Sequence, residues 1–138
     1  AFLRLNRLMA PQFEELHIKT SFSLLPNDIM ITADPDLLDQ VLINLALNAK
    51  EAVKNIENKQ IQFKASINKS GKVIIDVIDN GQGISPDLID KIFMPFFTSK
   101  KEGSGIGLSL SRQIMHLHKG TITVNSKPDQ GATFTLTF

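Results

Sequence analysis

The chain has 138 residues, of which 42% are hydrophobic and 21% charged, and its formal net charge is +1. A chain of this length forms one domain with a sizeable core, and a charge so close to zero gives no basis for a nucleic-acid surface or a direct membrane contact. The absence of cysteine excludes disulfides and thiolate metal sites, and no apolar run approaches the length of a membrane span. Ala1 stands inside an apolar-periodic run, so we expect residues 1–138 to be one domain cut from a longer intracellular protein.

The N-terminal part predicts a helix followed by two short strands. Apolar residues recur at helical spacing over residues 2–17, and Pro11 is expected to kink this helix or to begin a new turn. Residues 19–24 and 29–33 predict strands on either side of a turn at residues 26–28.

The next segment predicts a long helix over residues 35–57, with Asp34 as its N-cap and proline at its first position. Asn48 falls inside the apolar face of this helix, and Asn44 lies one turn earlier at the edge of that face. A buried amide needs a partner, so Asn48 either caps a neighbouring loop or offers its oxygen to a magnesium ion, which takes oxygen ligands.

The centre of the chain predicts a hairpin of residues 60–67 and 72–79. The second strand is apolar and β-branched and ends at Asp79, with Gly81 and Gly83 directly after it. A buried carboxylate needs a partner, and glycines remove side chains from the space beside it. This pattern indicates a pocket for a flat ligand with an N–H donor, although a simple turn between strand and helix fits the same residues.

The C-terminal part predicts a short helix at residues 85–89, a second helix over residues 108–118, and strands at residues 121–125 and 133–138. A basic, glycine-rich loop leads into the second helix, and a helix N-terminus of this kind suits phosphate. The loop lacks the Walker pattern, and no strand precedes it as a dinucleotide fingerprint requires.

The aromatic and histidine side chains in this part of the chain are predicted to have structural roles. Phe93, Phe96 and Phe97 are expected to pack in the core and to anchor the base of the glycine-rich loop. His116 and His118 end the predicted helix, where histidines commonly face the last carbonyl groups.

Four stretches stand in order along the chain, namely residues 44–49, 79–84, 93–100 and 103–109. They resemble the N, G1, F and G2 boxes of the ATP-binding catalytic domain of sensor histidine kinases, a superfamily shared with DNA gyrase, the Hsp90 chaperones and the MutL repair proteins. The resemblance covers nearly the whole chain and includes residues 131–134. It implies the Bergerat-type ATP-binding fold, an α/β (α+β) two-layer sandwich with a mixed, mostly antiparallel sheet and helices on one face.

The resemblance also implies a site for ATP and Mg²⁺. Asp79 would accept the adenine amino hydrogen, with Thr133 supporting Asp79 and the base directly or through water. Asn48 would hold the magnesium ion. Residues 98–104 would form a lid over the phosphates. The implied nucleotide-binding residues are Asn48, Asp79, Gly81, Gly83, Ile84, Lys100, Gly103, Gly105, Gly107, Leu108 and Thr133, and the implied catalytic residues are Asn44 and Asn48.

Two positions depart from related patterns. Asn44 stands where gyrase-like ATPases carry the glutamate that activates water, which favours the kinase branch and slow hydrolysis. Glu51 stands where many histidine kinases carry a basic residue, with Lys50 beside it. The short lid, with only Lys101 and Glu102 between Lys100 and Gly103, resembles that of the nitrogen-regulatory type of sensor kinase.

The implied function is transfer of the γ-phosphate to a histidine of another domain. His17, His116 and His118 are the only histidines, and none has a phosphoacceptor context, so the acceptor is expected on a dimerisation domain upstream of Ala1. A response regulator would act downstream. The isolated domain is expected to be monomeric and cytoplasmic, whether or not the full kinase is membrane-anchored. The alternatives are an anti-sigma-factor-type serine kinase and a nucleotide-sensing module without transfer activity; an ATP-driven clamp is disfavoured by Asn44.

Overall fold

The computed structural model describes residues 1–26, 29–95 and 107–138, which contain both helices and strands. The helices are α1 (Phe2–Glu15), α2 (Pro35–Ala52), α3 (Pro86–Ile89) and α4 (Gly107–Leu117), and the strands are β1 (Lys19–Leu25), β2 (Gln60–Ile67), β3 (Val73–Asp79), β4 (Thr121–Ser126) and β5 (Ala132–Thr137).

The five strands form one sheet in the order β1-β2-β3-β5-β4. Strand β1 pairs with β2 in parallel, whereas the β2–β3, β3–β5 and β4–β5 pairs are antiparallel. The expectation of a mixed, mostly antiparallel sheet is therefore confirmed.

The core lies between one face of this sheet and the helices. Residues alternate between buried and partly exposed along β3 and β5, as expected for a sheet covered on one side. Helix α2 packs against β3 and lies between α1 and α4. The fully buried large side chains include Phe13, Leu42, Leu45, Ile61, Phe63, Val77, Met115, Phe134 and Leu136. The two-layer arrangement with helices on one face is confirmed.

An aromatic cluster holds α1 against the parallel strand pair. The rings of Phe22 and Phe63 stack with centroids 4.8 Å apart and an interplanar angle of 9°, and Phe2 meets both rings edge-on. Helix α1 continues through Pro11 to Glu15, so the proline does not divide it.

The predicted strand at residues 19–24 is confirmed as β1, but the predicted strand at residues 29–33 is wrong, and β1 pairs with β2 from further along the chain. Residues 29–33 form no strand. Ile29 and Ile31 instead pack on the core as partly buried side chains. Their alternation therefore reflects packing and not a hydrogen-bonded ladder. Residues 27 and 28 of the predicted turn lie outside the described residues.

Helix α2 begins as predicted, since the Asp34 carboxylate accepts the Asp36 and Leu37 N–H groups at 2.9 and 3.2 Å. It ends at Ala52 and not at residue 57. The Ala52 carbonyl accepts the N–H of Gln82 at 3.1 Å, so a tertiary partner replaces the next turn of the helix.

The β2–β3 hairpin is confirmed, and Asn68 closes its turn by accepting the N–H groups of Ser70 and Lys72, each at 3.0 Å. Within the described part of the chain, the helices are too short or too polar to cross a bilayer.

Candidate functional site

Asp79 ends β3 with its carboxylate inside the protein, where it is 5% exposed. The N–H groups of Gly81, at 2.9 Å, and Ala132 donate to this carboxylate. Burial raises the pKa of Asp79 above its ordinary value, and these two hydrogen bonds lower it only in part. The strand end therefore presents a strong, largely desolvated hydrogen-bond acceptor.

The glycines after Asp79 make room for the protein's own backbone. A Cβ on Gly81 would overlap the carbonyl oxygen of Ala52, and one on Gly83 would overlap that of Lys127. Gly83 also has a positive φ of 74°, which side-chain-bearing residues rarely adopt. The expectation that these glycines leave space for a flat ligand is thus corrected, because neighbouring chain segments fill the space that a side chain at either position would take.

Thr133 is not brought to the Asp79 carboxylate. Asp79 pairs with Ala132, whereas Thr133 pairs with Ile78, and successive side chains of a strand point to opposite faces. The Ala132 N–H therefore gives Asp79 the direct support that was expected from Thr133, and support from Thr133 through water stays a prediction. Thr133 instead lines, with Asn125 and other residues, a cavity of about 250 Å³ that also borders Asp79.

One stripe of α2 faces this end of the sheet, formed by positions 44, 48 and 52, which recur every fourth residue. The Asn44 amide nitrogen lies 3.3 Å from the carbonyl oxygen of Gly107 at the start of α4. Ala52 contacts the glycine loop after β3 through Gln82. Asn48, half-buried, lies between these two contacts. The helix therefore places its amide between the Asp79 loop and the beginning of α4.

A magnesium ion fits Asn48 only as a shared ligand. The described residues contain no group of three or more histidine, cysteine, aspartate or glutamate side chains that could hold a metal. Mg²⁺ usually keeps several waters and takes few protein ligands beside substrate phosphates. One amide oxygen beside a nucleotide fits that chemistry.

Helix α4 begins at Gly107. Among the described atoms, a Cβ at this glycine would meet none closer than Asn44, at 3.8 Å, so the described part of the fold does not require glycine here. Leu108, like Ile84 after β3, packs on the core as a partly buried side chain. The predicted residues Lys100, Gly103 and Gly105, the lid at residues 98–104, and Phe96 and Phe97 lie outside the described residues.

The basic residues near the end of α2 contact other side chains of the protein. Lys50 donates to the Gln12 side-chain oxygen of α1 at 2.9 Å, and Lys54 pairs with Glu51 at 2.6 Å. Lys50 thus ties α2 to α1.

His118 has a defined structural role. Its Nδ1 lies 2.8 Å from the Ile114 carbonyl oxygen, as expected for a histidine that ends a helix. Its Nε2 accepts the backbone N–H of Asp34 at 3.0 Å, a link between the end of α4 and the start of α2 that sequence reasoning missed. His116 is exposed.

The fold is a mixed sheet with helices on one face. It places a buried hydrogen-bond acceptor at a strand end and an amide-bearing helix beside the N-terminus of a second helix. Together these features define a class of nucleotide-binding proteins. The family model of histidine kinase-, DNA gyrase B-, and HSP90-like ATPases matches residues 33–138. The chain belongs to this family, and membership implies ATP binding.

Curated relatives are sensor kinases. Over 106 residues the chain is 48% identical to sensor histidine kinase ZraS of Escherichia coli K12, and the matched region covers 77% of this chain and 22% of ZraS. Over 123 residues it is 35% identical to sensor protein FixL of Bradyrhizobium diazoefficiens, covering 89% of this chain and 24% of FixL. The chain therefore spans about a quarter or less of the length of these relatives.

Solved structures confirm the fold. The nucleotide-free catalytic domain of histidine kinase ThkA matches with a TM-score of 0.86 at 32% identity, over 98% of this chain and 87% of that one. Full-length ShkA in complex with AMPPNP matches with a TM-score of 0.85 at 28% identity, over 97% of this chain and 28% of that one.

Proposed function

We propose that this domain binds Mg-ATP and transfers the γ-phosphate to a histidine on a separate dimerisation domain, as the catalytic part of a two-component sensor kinase. The observation that carries the proposal is the buried Asp79 carboxylate, whose following loop contacts Ala52 on the stripe of α2 that carries Asn44 and Asn48. Family membership supports it, as does the likeness to sensor kinases.

Each residue has a chemical role in this proposal. The Asp79 carboxylate accepts the adenine amino hydrogen, so the site prefers an amino group to a carbonyl at that position. Asn48 holds Mg²⁺, which neutralises phosphate charge when bound. Ile84 and Leu108 belong to the same nucleotide site, and Lys100, Gly103, Gly105 and Gly107 contact the phosphates. Gly81 and Gly83 shape the site by letting the backbone segments around it pack closely.

Slow hydrolysis follows from the residue at position 44. An asparagine cannot take a proton from water as a carboxylate does, and the Asn44 amide is engaged with Gly107. The phosphate is therefore kept for another nucleophile. The domain acts in the cytoplasm as a monomer, beside its own histidine domain and upstream of a response regulator. Histidine kinase ThkA, a structural neighbour, has been solved in complex with response regulator protein TrrA.

Calorimetric titration with ATP, with and without magnesium, tests the binding step. We expect Asp79→Ala to abolish or strongly weaken binding, and Asn48→Ala to remove its dependence on magnesium. Asp76→Ala is the matched control, because Asp76 lies on the same strand but the opposite face and bonds Thr135. Gln40→Ala removes an exposed amide from α2 two turns before Asn48.

A folded chain that binds neither ATP nor ADP would contradict the proposal. Transfer is tested separately with γ-labelled ATP and a histidine-containing dimerisation domain from the same kinase. Label appearing on that domain supports the kinase. ATP binding without any label on it would favour a nucleotide-sensing module.

A further inference from the structure

A buried polar junction joins α2 to the first turn of α4. Ser111 is fully buried, and its hydroxyl donates to the Gly107 carbonyl oxygen at 2.9 Å. The Asn44 amide nitrogen lies 3.3 Å from both that carbonyl oxygen and Ser111 Oγ. Asn44 thus donates, Ser111 both accepts and donates, and the Gly107 carbonyl accepts.

The junction depends on the amide at position 44. Burying a hydroxyl is costly unless it is hydrogen-bonded, and a serine that bonds the carbonyl four residues earlier gives a helix little by itself. The amide N–H from α2 completes the arrangement. A carboxylate at position 44 has no N–H and would face the Gly107 carbonyl oxygen with like partial charge.

A second polar link lies at the other end of the helix pair. His118, just after α4, accepts the N–H of Asp34, just before α2. The two helices run in opposite directions, because the start of α4 lies beside the middle of α2 and the end of α4 lies beside the start of α2. Polar contacts at both places therefore limit sliding of α4 along α2.

We propose that Ser111 and Asn44 form a clamp that positions the N-terminus of α4 one helical turn from Asn48. Both are positioning residues, because they act through Gly107 and not on the substrate. The inference rests on the proposed function, in which Gly107 contacts the phosphates and Asn48 holds the metal. Its consequence is that ATP affinity depends on a buried hydroxyl that need not touch the nucleotide.

Ser111→Ala tests the clamp with two ligands and one measurement that needs no ligand. We expect ATP affinity to fall about threefold to tenfold, the effect of one buried hydrogen bond. Adenosine affinity should stay unchanged, because the clamp lies at the phosphate end. Amide hydrogen exchange at position 111 should become faster. Gln113→Ala, an exposed truncation on the same helix, should change none of the three.

Asn44→Ala combined with Ser111→Ala gives a double-mutant cycle. Since both side chains hold one carbonyl, their effects on ATP affinity should be non-additive. Equal weakening of ATP and adenosine in Ser111→Ala would indicate a general structural role and would overturn the clamp. Unchanged ATP affinity would also overturn it.

The clamp and the proposed function can fail separately. A wild-type chain that binds neither ligand would refute the proposed function. Hydrogen exchange would still decide whether the junction holds α4, since unchanged exchange in Ser111→Ala would overturn the clamp without reference to any nucleotide.

Discussion

Asp79 and Ser111 are the polar side chains that the described residues bury in the core. Asp79 is held there by two backbone N–H groups that do not fully offset its loss of hydration. A buried carboxylate of this kind lowers stability in its ionised form. In the proposed function, the adenine amino group would supply the donor that the protein lacks.

The stability of the fold should carry a pH dependence from Asp79. Its folded pKa is raised by burial, so the folded state holds the proton more tightly than the unfolded state. Stability then falls as pH rises from about 3.9, the ordinary aspartate value, through the folded pKa. We expect the stability of Asp79→Asn relative to wild type to rise over this window, measured by urea unfolding at several pH values. Asp76→Asn is the control, and a difference that is constant with pH would contradict the prediction.

Lys119 follows α4 in a left-handed conformation with φ of 57°. The N–H of Gly120 bonds the Met115 carbonyl and that of Lys119 bonds the His116 carbonyl, the pattern of a helix end that favours glycine at this position. We expect Lys119→Gly to stabilise the chain by about 0.5–1 kcal/mol, since glycine has no Cβ penalty there. Thermal unfolding measures this change. Lys119→Ala removes the same charge without relieving φ, and an equal gain from it would contradict the explanation.

At the scale of elements, the glycines of the site divide into two kinds. Gly81 and Gly83 allow chain segments to cross closely, whereas a Cβ on Gly107 would meet no described atom closer than 3.8 Å. Packing among the described residues therefore explains the first kind of glycine, and the proposed phosphate contact is left to explain Gly107.

We therefore expect opposite outcomes from two alanine substitutions. Gly81→Ala should lower the free energy of unfolding by several kcal/mol, because the methyl group would overlap the Ala52 backbone. Gly107→Ala should leave stability within about 1 kcal/mol of wild type while weakening ATP binding. Chemical unfolding and ATP titration separate the two effects. Loss of stability in Gly107→Ala would contradict this division.

At the scale of the whole molecule, α1 and the sheet share one core through Phe2, Phe22 and Phe63. Phe63→Ala should cost about 3–5 kcal/mol, because Phe63 is fully buried on a strand with neighbours on both sides. Ile67→Ala, at the exposed end of the same strand, should cost less than about 1.5 kcal/mol. Urea unfolding monitored by circular dichroism measures both, and similar losses would contradict the assignment of the core.

Local sequence predicted the features that depend on neighbours along the chain. The Asp34 cap, the β2–β3 hairpin and the burial of Asp79 follow from capping, turn chemistry and alternation, all of which act within a few residues. The order of four short motifs predicted the family. The family in turn predicted the fold class and a metal-binding role for Asn48.

Contacts between distant residues decided the rest. The parallel pairing of β1 with β2, the end of α2 at Ala52 and the face of Thr133 each depend on a partner more than 25 residues away. A one-residue shift of register reverses the face of a side chain, and the pairing of β3 with β5 decides that Ala132 and not Thr133 lies opposite Asp79. The sequence by itself thus determined the family and predicted which residues carry the chemistry. Only the tertiary structure decided which of the described ones meet, because that depends on long-range backbone pairing.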